Sequence, residues 1–171
     1  MKSRLEILLI IALFILLQAL LSNFVNFGPL VSIAVYPLLI LTFPSKIPLY
    51  QKLILSFLLG LGVDYTGGYT MGINSGAAVI LSFTQPLLIK LVVPHSELYK
   101  GSRAGLFELG IVRFAYYVVA GLMIHQASIE LLENFASIFT FQSLLRFFLS
   151  IFVNSLIILL TEFGIFYKNR G

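Results

Sequence analysis

Six mostly apolar stretches, parted by short polar or charged breaks, divide this 171-residue chain. None alternates apolar and polar positions with a period of two, so the strands of a membrane barrel are excluded. The runs predict helices over residues 5–22, 30–43, 52–64, 73–93, 106–127 and 141–167. The first follows a short basic start and resembles a signal peptide. Its apolar run is long, however, and Ser22-Asn23-Phe24 offers no small-residue cleavage site, so an uncleaved helix is expected. Gln18 within it is expected to pack against another helix. The second stretch carries Pro37, and as a helix it would cover only about 21 Å of a hydrocarbon layer about 30 Å thick. It is expected to be kinked and extended by its flanks, or to sit where the membrane thins. The third and fourth form the centre of the pattern. Leu53–Val63 is barely three turns of apolar residues, and Asp64, the sole aspartate of the chain, stands at its end. Thr66–Gly72 follows with three glycines, Gly67, Gly68 and Gly72, which favour a tight turn back into apolar surroundings.

Composition makes the solvent clear. Hydrophobic residues are 59% of the chain and charged ones 11%, against about 25% in a typical soluble domain. That surface cannot cover a water-facing globule, so an all-α, polytopic integral membrane protein of one domain is expected, with each span satisfying its own backbone. Cysteine is absent, which removes disulfides and thiolate chemistry. The net charge of +4 reads as topology, with no nucleic-acid partner. Lys2, Arg4, Lys46, Lys52, Lys90, Lys100, Arg103, Lys168 and Arg170 lie at the ends or after the second and fourth helices. The connections after the first, third and fifth hold no Lys or Arg, only Asp64, Glu130 and Glu133. Positive loops stay in the cytoplasm, so both termini are expected inside and the Asp64 hinge outside.

Few side chains offer chemistry. Arg113 and Arg146 fall within helices, where a charge costs roughly 2.5–3.5 kcal/mol at mid-span, so each needs a partner or a route to the interface by snorkelling. Arg113 is expected to pair with Glu162, with Glu108 as competitor, and Arg146 with Asp64 or Glu133. His125 reads as a hydrogen-bonded packing residue, and with His95 on the opposite side no metal site forms. Gly60-Leu61-Gly62-Val63-Asp64 resembles the motif of intramembrane aspartyl proteases, yet that chemistry needs two carboxylates sharing a proton. Gly72–Gly76 resembles the rhomboid serine motif, but no oxyanion hole accompanies it. No HExxH occurs. Small residues at Gly72 and Gly76, and at Gly101, Gly105, Gly110 and Gly121, read more simply as faces for close helix contact. Asp64 is expected to cap exposed backbone N–H groups or to pair with Arg146. A transporter with a broken-helix site is the second class that the hinge admits.

The order of motifs goes further. A first helix ending LLQALLSNFVNFGPL precedes the block FPSKIPLYQKLILSFLLGLGVDYTGGYTMGINSGAAVILSFTQPLLIKL. Pro94-His95, IHQASIELLE and SLLRFFLS then follow in turn. Over nearly its whole length this resembles the rod shape-determining protein MreD family in its Bacteroidota-like form. Asp64, Gly72 and Pro86 match that pattern, as do His125, Glu133, Arg146 and Ser150; Asn74, Ser75, Gln85 and Gln126 depart from it. The resemblance implies a fold similar to the substrate-binding subunits of energy-coupling-factor transporters. It also implies a non-enzymatic scaffold of the elongation machinery in the bacterial inner membrane, without catalytic, cofactor or metal residues. The implied partners are MreC directly, with MreB, RodA and its transpeptidase in the same complex that builds lateral peptidoglycan; a homodimer is compatible with it. The alternative is a vitamin-binding transporter subunit using Asp64, Tyr65, Tyr69, Asn74 and Glu133.

Overall fold

A computed structural model describes residues 4–24, 30–92, 103–133 and 140–164. Their order is α1 (Arg4–Phe24), α2 (Pro37–Leu41), α3 (Leu49–Gly67), α4 (Ile73–Val92), α5 (Leu106–Leu109), α6 (Ile111–Glu133) and α7 (Phe141–Glu162). No strand occurs among the described residues. Glu6–Phe24 of α1, and all of α4, α6 and α7, are long and apolar enough to cross a membrane. The helices pack in the sequence α1–α3–α4–α6–α7, with α2 set against α4 and α6 in the interior. There Leu38, Ile40 and Leu41 are wholly buried in one cluster with Phe114, Tyr117 and Leu81.

The second expected helix, 30–43, is not one. Residues 30–36 are non-helical and mostly buried, and only Pro37–Leu41 coils. Length supplies a reason: residues 31–35, near-extended at about 3.3 Å each, followed by the turn at Tyr36 and by α2 at about 1.5 Å per residue, reach about 25 Å, against about 17 Å for a helix of the same residues. Unpaired backbone in such a place would be costly, and two amide side chains supply partners for four of its groups. Gln18 of α1 donates to the Ile33 carbonyl and accepts from the Val35 N–H, both at 2.8 Å. Asn154 of α7 accepts from the Ala34 N–H at 2.9 Å and donates to the Ser32 carbonyl at 2.8 Å. The Ser32 N–H reaches Ser150 Oγ. Groups of even-numbered residues face α7 and those of odd-numbered ones face α1, as an extended chain requires. This strap ties the two outermost helices of the row together.

Other boundaries moved as well. Gly110 (φ +74°) breaks the expected fifth helix into α5 and α6, and α6 runs on to Glu133, so that Glu130 and Glu133 are helical and not in a loop. α3 continues past Asp64 to Gly67, where Gly68 in the left-handed conformation (φ +66°) returns its N–H to the Asp64 carbonyl. Residues 93–102, including Gly101, the connection 134–139 and the end of the sixth expected helix after 164 lie outside the described residues.

The α3–α4 seam is closed at Gly60, where an added Cβ would lie 2.5 Å from the Ser75 Cα. Gly60→Ala is therefore expected to force the two backbones apart. Gly76→Ala meets only the end of the Leu132 side chain, at 2.9 Å, and should be tolerated. Thermal unfolding in detergent distinguishes the two. Gln18→Leu and Asn154→Leu each strip partners from two buried peptide groups, at about 1–3 kcal/mol per group. Either should lower the unfolding midpoint far more than Asn23→Leu, which sits exposed at the end of α1.

Candidate functional site

The polar side chains of the interior converge where α3 hands over to α4. Asp64 closes the last full turn of α3 and is wholly buried. Its carboxylate receives the N–H groups of Gly72 (3.0 Å), Asn74 (3.0 Å) and Ser75 (3.2 Å) at the start of α4. Asn74 Nδ2 (2.9 Å) and Ser75 Oγ (2.8 Å) donate to it too. A helix N-terminus offers unpaired donors and a favourable dipole to such a group. The cap comes from the preceding helix, and the glycine turn between them brings it there: Gly72 holds φ +99°. Of the two roles expected for Asp64, backbone capping is the one found.

Beyond Asn74 the bonds run inward in one direction. Because its Nδ2 faces a pure acceptor, its Oδ1 faces Tyr36, whose hydroxyl donates to it at 3.0 Å. That spends the only proton of Tyr36, and His125 Nε2 lies 2.5 Å from the same oxygen. The Nε2 nitrogen must therefore carry the hydrogen, which fixes the tautomer of His125. His125 is 1% exposed, its ring edge-on to Tyr36, so the packing role expected for it is the one it has.

Arg146 near the start of α7 pairs with Glu133 at 2.9 Å and approaches Glu130 at 3.5 Å, both on the last turns of α6. Asp64, its other expected partner, is committed to α4. Gln18, Ser32, Tyr69, Thr70, Asn74, Glu133 and Arg146 line a pocket between these elements, with about 30 Å³ open to water-sized molecules. That holds one or two waters.

At the opposite end, the expected pairing of Arg113 with Glu162 is overturned. Glu162 binds Arg103, whose Nη2 is 2.7 Å from both of its oxygens, and it also accepts the Leu106 N–H. Arg113 lies exposed on α6, away from Glu162's bonds to Arg103 and Leu106. A basic residue in the preceding connection, held beside Gly105, reaches the carboxylate first. Gly67 lies against the Tyr69 ring and Gly76 faces Leu132. Pro86 sits inside α4, next to Gln85, which bonds the carbonyls of Leu41 and Phe43 and accepts from Lys52 Nζ at 2.7 Å. Gln18, Tyr36, Asn154 and the Lys52–Gln85 pair are the residues that sequence reasoning undervalued. Their signal was a polar side chain inside an apolar run, with nothing to name its partner.

The fold and this interior define a multi-pass helical membrane protein. No protein-family model, curated protein or solved structure matches the chain.

Asp64→Asn exchanges an acceptor for a donor against three backbone N–H groups that can only donate. Hydrogen bonds to charged groups contribute about 1.5–3 kcal/mol each, so the loss should exceed that of His125→Leu, which removes one link. Unfolding midpoints measured side by side check the order. Nitrogen NMR of labelled histidine should show the Nε2–H form for His125 in the native protein, and a mixture of forms in Tyr36→Phe.

Proposed function

We propose that the protein is a non-enzymatic membrane scaffold of the MreD type. In this reading it binds an MreC-like single-span protein and helps couple MreB filaments to RodA and its transpeptidase in lateral wall synthesis, and so maintains rod shape. The chain crosses the bacterial inner membrane six times with both ends in the cytoplasm. The strap with α2 makes the second crossing and α3 the third, and the Asp64 hinge faces outward with the Arg146 cluster. The observation that carries the reading is the state of the Asp64 carboxylate. Its five donors all belong to the fold, and none of the bonds is directed at open space. A catalytic or substrate-binding carboxylate needs a free acceptor or a reacting atom within reach. The resemblance of the motifs in order and spacing supplies the partner. Uptake of a vitamin-sized ligand is the weaker reading, because such sites occupy about 300–1,000 Å³ and the hinge-end pocket is far smaller.

Purification from native membranes in mild detergent tests it. A bitopic MreC-like protein is expected to accompany the chain. Recovery of a stoichiometric vitamin, or of an ATPase with its coupling subunit, would replace the scaffold with uptake.

A further inference from the structure

The lipid-facing sides of this protein differ in length. On α7 the exposed apolar residues Leu144, Phe148, Phe152, Leu156 and Leu160 follow exposed Gln142 and continue to Phe163, a band of about 30 Å. On α6 the interval from exposed Arg113 to exposed Glu133 is also about 30 Å. On α3 the exposed aliphatic and phenyl side chains are Leu49, Ile54, Phe57 and Leu58, and of these Leu49 alone lies outside the interval from Gln51 to Thr66. Gln51 and Thr66, both exposed, end the band at about 22 Å, with Tyr50 and Tyr65 beside them as interfacial aromatics. The neighbouring α1 is intermediate, with exposed Glu6 and Asn23 about 25 Å apart.

The short band is fixed from the inside. The inner face of α3 carries Lys52 and Asp64, both buried, about 18 Å apart along the axis. Lys52 is tied to Gln85 of α4, and Asp64 to the start of α4. Between them Gly60 brings α3 against the backbone of Asn74 and Ser75. A longer helix can tilt to fit a thinner layer, but a short one gains nothing by tilting. Thinning of the surrounding lipid layer matches a short band of this kind.

We propose that the α3 flank is a lipid-binding surface matched to a hydrocarbon layer about 22 Å thick, so that the protein gathers short-chain or locally thinned lipid along α3 while α6 and α7 meet a layer of ordinary thickness. The occupant is phospholipid, selected by acyl-chain length and not by headgroup. Its recognition element is the pair of polar limits at Gln51 and Thr66. Neither side chain holds the fold: Gln51 bonds only to exposed Tyr50 and Thr66 to its own helix.

The chain lacks tryptophan, so single reporters can be placed at the exposed positions Phe57→Trp on α3 and Phe152→Trp on α7. The full-length protein is reconstituted in phosphatidylcholine bilayers that mix short and long acyl chains, one of the two brominated. Quenching then reads which lipid surrounds each reporter. Short-chain lipid should be enriched at Phe57→Trp by about two- to fivefold over its share of the bilayer, with no enrichment at Phe152→Trp. Adding Gln51→Leu and Thr66→Leu should abolish the enrichment at the first site. Equal lipid composition at both reporters overturns the proposal. So does a Phe57→Trp reporter that no lipid quenches, which would place another protein surface, such as a second copy, over α3.

Discussion

Five donors meet the Asp64 carboxylate at the turn between α3 and α4 and fix the end of one helix to the start of the next. A charged group away from water costs several kcal/mol unless its partners are complete. Here three of them are the amides that a helix start leaves unpaired. Two deficits thus cancel: the carboxylate solvates the end of α4, and the end of α4 solvates the carboxylate. With the ends joined, Gly60 can bring the helices into backbone contact, and the seam below it becomes rigid. Asn74, Tyr36 and His125 extend the same bond direction into α2 and α6, so the hinge is tied to elements far along the chain.

The same requirement governs the strap. Hydrocarbon offers no partner for a peptide group, and a non-helical stretch survives there only if protein supplies one. A primary amide has a donor and an acceptor side by side, which is the pattern that one edge of an extended chain presents. Gln18 and Asn154 take opposite edges of residues 32–35. The result differs from helix-on-helix packing, because α1 has little buried surface otherwise; 17% of its spanning window lies inside the protein. Its attachment depends on polar bonds and on its contact with α3.

Ionised residues at the rim follow a simpler logic. Arg146 with Glu133 and Glu130 joins the ends of α6 and α7 at the hinge end, and Arg103 with Glu162 closes the opposite end. Each pair brackets one end of the apolar interior. Such placement suits a platform whose charges fix geometry. It also gives a reason for the uneven length of the apolar flanks: α3, the helix that carries a buried ion at each end, is the one with the shortest band.

Much of this was legible in the chain. Apolar runs, scarce charge and the absence of alternation demanded helices in lipid, and the structure has them with most boundaries near those expected. Asp64 before a glycine turn read as a cap or as a partner of Arg146, and of these it is the cap, while Arg146 found Glu133 within reach. Arg113 and Glu162 misled because depth in a span says nothing about azimuth, and Arg103 reached the carboxylate from a connection. The strap was hidden for a related reason. An apolar run of 14 residues looks alike whether coiled or extended, and only partners at Gln18 and Asn154, over 100 residues apart from one another, make the extended form affordable. Apolar surroundings, the helical class and the places where the chain must turn could be read from the residues alone, because those depend on local composition. Which polar side chain completes which backbone group emerged only from the packed helices, because it depends on distances between segments that no local pattern encodes.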